Sequence, residues 1–178
     1  MELPCETPPL RGRRGCADRY GLEDVDDHLT GEDEETARQF GWWPKRSTAE
    51  TVLAAFGAWA QDWAHDDPTR ALAVRDRRTG ALLGDCELRR HDDGPFTVSY
   101  WTGAEHRRRG VATRALRLLL LYAEDEGVTD IACDVAVDNV ASRRVAEAGG
   151  FSHPTIHTDP DARAMVRLTL DHGQTART

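Results

Sequence analysis

Arg107-Arg108-Arg109-Gly110-Val111-Ala112-Thr113 is the stretch that decides how this chain folds. On its N-terminal side, Phe96 to Thr102 reads as a strand. On its C-terminal side, about Val111 to Glu126 reads as a strongly apolar helix. Three arginines and a glycine therefore stand where a helix begins. The first turn of a helix leaves backbone N–H groups without internal acceptors and carries partial positive charge, a combination that favours an anion. Gly110 lets a ligand approach the backbone, and Ala112 keeps the next position small. The expected ligand is a phosphate or pyrophosphate. Composition offers a competing account, because Lys45 is the only lysine and arginine runs therefore arise easily in this chain.

Outward from this turn the pattern is a run of short strands with two helices set among them. Arg70 to Arg75 and Ala81 to Arg89 flank the turn Asp76-Arg77-Arg78-Thr79-Gly80 and predict a hairpin. His91-Asp92-Asp93-Gly94-Pro95 turns the chain into Phe96 to Thr102. In the helix that follows the arginines, Val111, Ala115, Leu118, Leu119 and Tyr122 share a face, and Gly127 ends it. Asp130 to Val137 alternates Ile131, Cys133, Val135 and Val137 onto one side. Asp138-Asn139 predicts a cap for a helix from Val140 to Ala148, closed by Gly149-Gly150. Two further strands are expected near Phe151 to Thr158 and Arg163 to Leu170.

Upstream, carboxylates crowd Leu22 to Phe40, with a helix start expected at Thr30. Ser47 and Glu50 predict a capping box opening a helix to about Trp63, on which Val52, Phe56, Trp59 and Trp63 share one face. Trp42-Trp43-Pro44 is an aromatic loop in front of that helix; core packing is the expected role of these tryptophans, with a wall of a substrate pocket as the alternative. The order is helices, three strands, helix, strand, helix, two strands. Hairpins beside a strand–helix–strand crossover predict an α+β domain with a mixed, mostly antiparallel sheet flanked by helices. Residues 1–21, rich in proline, arginine and glycine, are expected to be a flexible arm with a short edge strand near Leu10. Residues 22–170 form the expected single domain, and 171–178 a polar tail.

Composition narrows the function. The chain has 178 residues, 23 Lys and Arg against 31 Asp and Glu, and a net charge of −8. That balance argues against nucleic acid as a partner and suits a cationic substrate such as an amine. No apolar run approaches the length of a membrane span, and the opening residues lack the basic start and apolar centre of a signal peptide, so a cytoplasmic location and no membrane partner are expected. Cys5, Cys16, Cys86 and Cys133 show no C-x-x-C pairing, which predicts reduced thiols and no metal.

Taken together the motifs resemble the GNAT (GCN5-related N-acetyltransferase) family, most closely the branch holding the ribosomal-protein N-terminal acetyltransferases. The resemblance runs from about Ala71 to Leu170. It is carried by Gly84 in Leu82-Leu83-Gly84, by Ser99-Tyr100-Trp101, by the arginine–glycine turn through Leu116, by Asn139-Val140-Ala141-Ser142-Arg143-Arg144, and by Gly150-Phe151. It implies a three-layer fold and an acetyl-CoA-dependent N-acetyltransferase acting on a primary amine of a small molecule or a peptide N-terminus, by direct attack. It also implies the cofactor contacts. Backbone amides of Arg107, Arg108, Arg109, Gly110, Val111, Ala112 and Thr113 would hold the pyrophosphate. Trp101 and Thr102 would pair with the pantetheine by main chain, at a strand splayed from its parallel neighbour, and Asn139 would hydrogen-bond it.

Ser142 is implied as the proton donor to the departing thiolate. Many relatives place a glutamate on the strand corresponding to Phe96 to Thr102, and this chain has none there. Glu87 is the chosen substitute for the base, with Asp85, His157 and Asp159 as alternatives. Gly149 also departs from the family pattern and is expected to loosen the end of its helix. A monomer or homodimer is expected. The rival reading is a non-catalytic acyl-CoA binder acting as a sensor or interaction protein.

Overall fold

The computed structural model describes residues 10–12 and 15–170; the tail expected at 171–178 lies outside them. The strands are β1 Leu10–Gly12, β2 Gly15–Asp18, β3 Arg70–Arg75, β4 Leu82–Arg89, β5 Phe96–Thr102, β6 Ile131–Ala136, β7 Phe151–Thr158 and β8 Ala164–Leu170. They form one sheet in the order β1-β2-β3-β4-β5-β6-β8-β7. Every pairing is antiparallel except that of β5 with β6. The helices are α1 Asp24–Gly31, α2 Glu34–Phe40, α3 Ala49–Ala64, α4 Val111–Asp125 and α5 Val140–Ala148.

Strand alternation sorts the core into two faces. On one, Leu72, Val74, Cys86, Leu88 and Val98 meet Val111, Ala115, Leu116, Leu118 and Leu119 of α4. On the other, Trp101 packs with Ala73, Leu82 and Tyr20, beside a cluster of Val25, Val52 and Phe56 from α1 and α3. The sheet is thus the middle of three layers. Cys86 and Cys133 are free and buried. No described helix is long and apolar enough to cross a membrane.

Three expectations about the N-terminal third need correction. The edge strand near Leu10 is present, but Gly15–Asp18, assigned to a flexible arm, is a sheet strand in register with β3. Its four residues are too few to show alternation. The helix start expected at Thr30 falls inside α1. The cap there belongs instead to Asp33, whose side chain accepts the Thr36 N–H at 2.9 Å and opens α2. The capping box lies one residue later than expected, between Thr48 and Thr51. Ser47 is drawn out of that role because its own N–H donates to Glu32 at 3.3 Å.

Gly149 does not loosen its helix. A Cβ there would lie 2.7 Å from Leu116 Cδ2, so glycine is what lets the end of α5 settle on α4.

Candidate active site

The chain leaves β5 when Gly103 N–H donates to Leu83 O at 3.0 Å, makes a short turn over Ala104–His106, and enters α4 through Arg107 to Gly110. Arg108 (φ 59°) and Gly110 (φ 72°) both adopt left-handed backbone. The first backbone bond into α4 runs from Arg114 N–H to Gly110 O at 3.2 Å. Among the described residues, none accepts a hydrogen bond from the N–H groups of Arg107 to Thr113. The first turn carries no acidic side chain. The result is a run of amides at a helix start without acceptors among the described residues.

Next to it the sheet opens. β5 and β6 are in register only at Phe96–Ile131 and Thr97–Ala132, so the rest of β5 stands clear of its parallel neighbour. Main-chain groups alternate sides along a strand. Phe96 N–H points toward β6, bonding Asp130 O, and Gly103 N–H points toward β4. Tyr100 and Thr102 therefore turn their main chain to the opening, and Trp101 turns its own toward β4. Gly84 shows the same thing: a Cβ there would run into the Trp101 carbonyl oxygen. Of the two residues expected beside the pantetheine, Thr102 faces the opening and Trp101 does not, its place being taken by Tyr100. Among the described residues the buried Thr102 Oγ1 has no hydrogen-bond partner.

On the far side of the opening, Asn139 caps α5 by accepting Ser142 N–H at 2.9 Å. Ser142 Oγ donates to Tyr100 Oη at 3.0 Å, and Tyr100 Oη donates to Ser142 O at 2.8 Å. Burial holds the Tyr100 phenol far above its ordinary value, so it stays protonated. The structure thus brings Asn139 and Ser142 to the opening, joined to β5 through a tyrosine to which the sequence reading gave no role.

The face toward α1–α3 carries the carboxylates. Asp85 accepts from Tyr20 Oη at 2.9 Å. Desolvation pushes its carboxyl up to about 7; the charge of Glu87 adds to this, while hydrogen bonds from Tyr20 and the Trp101 amide oppose it. Glu87, buried at 7 % exposure, is engaged by Arg89 at both oxygens, with Nη2 at 3.0 and 2.8 Å. His28, its buried Nδ1 without a hydrogen-bond partner among the described residues, lies with its ring 4.8 Å from that of Trp101, and burial lowers its pKa. The other two alternatives are committed elsewhere. His157 sits 3.7 Å from Asp134. Asp159 is held below the usual carboxylate range, chiefly by the Arg163 amide.

Arg107 turns its side chain away from the amide run, toward α2. Its Nη2 lies 2.7 Å from Asp33 Oδ1 and 2.8 Å from Thr36 Oγ1, and its Nη1 lies 2.7 Å from Glu35 Oε2. Arg107 and the α2 cap hold Asp33 down to about 2. Trp101 Nε1 donates to the same Thr36 hydroxyl at 3.3 Å. The sequence reading, which started a helix at Thr30, found neither the Asp33 cap nor the contact of Thr36 with Arg107. Within the aromatic loop, Trp43 is covered by Arg38 at 4.8 Å, and Trp42 stacks on Phe40.

Amides at a helix start, beside a cleft between splayed parallel strands, suit the diphosphate and pantetheine of an acyl-coenzyme A. Residues 19–152 match the profile of the acetyltransferase (GNAT) domain family. The chain belongs to that family and is an acetyl-CoA-dependent N-acetyltransferase. No curated protein matches it. Solved structures sharing its fold include RimL, a ribosomal L7/L12 alpha-N-protein acetyltransferase in complex with coenzyme A. The two are 12 % identical with a TM-score of 0.78, over 91 % of this chain and 97 % of that one. The ribosomal-protein-S5-alanine acetyltransferase of Vibrio fischeri is 14 % identical, with a TM-score of 0.73 over 96 % of this chain and all of that one. The microcin C7 self-immunity acetyltransferase MccE, in complex with acetyl-CoA and AMP, is also 14 % identical, with a TM-score of 0.75 over 89 % and 92 %.

Proposed function

We propose that acetyl-CoA lies with its diphosphate on the amides of Arg107 to Thr113 and its pantetheine along the main chain of Tyr100 and Thr102. Its acetyl group then passes to a primary amine reaching the opening from the α1–α3 face. The carrying observation is the unbroken set of amides without protein acceptors, from Arg107 to Thr113, beside a strand end unpaired on that side. Asn139 adds a side-chain amide at the rim.

The chemistry asks for two proton positions. An amine must be neutral to attack, so a base has to take its proton. Asp85 fits that need better than Glu87: its carboxyl sits near neutrality with no cation beside it, whereas Arg89 occupies the oxygens of Glu87. Asp85 lies on β4, one strand from the opening, so its proton travels through water. In this reading the Ser142 hydroxyl, hydrogen-bonded to Tyr100, protonates the leaving sulfur. A main-chain N–H of Tyr100 or Thr102 stabilises charge gathering on the thioester oxygen.

The acceptor is a small amine or a peptide N-terminus. The negative net charge suits a cationic molecule, and relatives named for ribosomal-protein N-termini and for microcin immunity share this scaffold. We assign the activity to a single unit spanning 22–170, with β1 and β2 extending its sheet.

Calorimetry with coenzyme A tests the site, and thiol release across an amine panel tests the reaction. Wild-type protein is expected to bind coenzyme A and Gly110→Glu to lose it, since the variant adds bulk and negative charge to the cradle. Absence of heat with folded wild-type protein would overturn the site. Binding without amine-dependent thiol release would make the chain an acyl-CoA binder instead.

A further inference from the structure

We propose that the Arg107 side chain is a positioning residue that joins the diphosphate loop to α2, so that coenzyme A binding orders the substrate-side layer. This rests on the cofactor placement argued above. Arg107 is the first residue of the amide run, yet its guanidinium spans to the next layer and forks onto Asp33 and Glu35. The two oxygens of Asp33 take Nη1 and Nη2 at 2.8 and 2.7 Å, a bidentate geometry that fixes orientation as well as distance. Thr36 then passes the contact on, because its hydroxyl meets both Arg107 and the Trp101 indole.

Trp101 in turn is walled by Gly31 at the end of α1, where any Cβ would fall 2.9 Å from the indole. Loop, α2, β5 and α1 therefore meet at one hub. A guanidinium held away from the cradle leaves the backbone amides, rather than this side chain, to meet the diphosphate. Fixing those amides with a ligand restricts Arg107, and Arg107 restricts α2. By linkage, whatever α2 contributes to coenzyme A affinity, coenzyme A returns as order in α2.

Hydrogen exchange with and without coenzyme A tests this on the wild-type protein. Protection is expected over 33–40, a segment outside the cradle. The double variant Asp33→Asn/Glu35→Gln keeps an amide able to cap α2 while removing both charges from Arg107. It is expected to weaken coenzyme A about tenfold, a typical size for coupled sites, and to lose the protection over 33–40, while staying folded without ligand. Arg107→Lys, which keeps the charge without the fork, is expected to fall between the two. Wild-type protein that binds coenzyme A without protecting 33–40, or a double variant with unchanged affinity, would overturn the coupling. Wild-type protein that binds no coenzyme A would instead remove the cofactor site on which the coupling stands.

Discussion

At the scale of single residues, two carboxylates two positions apart on β4 have been given different jobs by their neighbours. Glu87 is met by Arg89, and Asp85 is met by a tyrosine hydroxyl and an aromatic wall in which Tyr20 stacks on Phe56 at 4.2 Å. Desolvation without a compensating cation raises an acid. Asp85 is therefore an acid whose folded value, about 7, lies above its ordinary 3.8. Between those values the folded protein keeps a proton that the unfolded chain has released, so stability falls as pH rises through that window and stays lower above it. Asp85→Asn removes this penalty while keeping an acceptor for Tyr20. The variant should melt higher than wild type at pH 8, with the difference closing near pH 4. As a base, Asp85 should also impose a rising limb near pH 7 on kcat/KM, and Asp85→Asn should lower activity at pH 8 about 10²-fold. Glu87→Gln should keep the limb. Loss of the limb in Glu87→Gln rather than in Asp85→Asn would return the role to Glu87.

At the scale of elements, the active strand depends on how closely β4 and β5 approach. Gly84 stands where Trp101 turns its carbonyl to β4, and no side chain fits between them. Gly84→Ala should therefore push the end of β5 away from β4. Overpacking of this kind costs about 1–3 kcal/mol. Because the displaced strand end also carries Thr102, coenzyme A affinity should fall together with the denaturation midpoint; a lowered midpoint with unchanged affinity would separate the two. Elements with dense local signals were legible in the sequence. β3, β5, β7 and α5 begin and end where alternation, capping and glycine stops place them. β2 was not, being short and held by a contact from Arg75 to Asp18 across 57 positions. The amide cradle was readable because a helix start is a local object. The standing of Asp85 was not, since it depends on Tyr20, 65 residues earlier. Tyr100 belonged to a quoted motif, but its partner Ser142 lies 42 residues away, and only folding shows that the two hydroxyls meet.

At the scale of the molecule, the two layers on either side of the sheet are built differently. The α4 side is a continuous apolar core, whereas the α1–α3 side has a small cluster and is fastened by charge. Its main fastening is Asp24 on α1, 3 % exposed at the side chain, against Arg75 on β3, with Nη2 to Oδ2 at 2.7 Å. Arg75 also reaches Asp18 at 2.7 Å, so one guanidinium ties α1, β2 and β3 together. Removing one member of a buried pair costs about 3–5 kcal/mol where the other is left alone, and less here, because Arg75 keeps Asp18. Asp24→Ala should carry that cost unevenly. The sheet and α4 retain their apolar contacts, so the loss should appear first as opening of the α1–α3 layer. Native-state hydrogen exchange should then show faster exchange across 24–64 with little change across 111–125. A uniform acceleration through both layers would mean that the molecule opens as one unit. Since the proposed acceptor face belongs to the layer held by charge and the proposed diphosphate cradle to the layer held by apolar packing, the same variant should raise the KM for the amine more than that for acetyl-CoA.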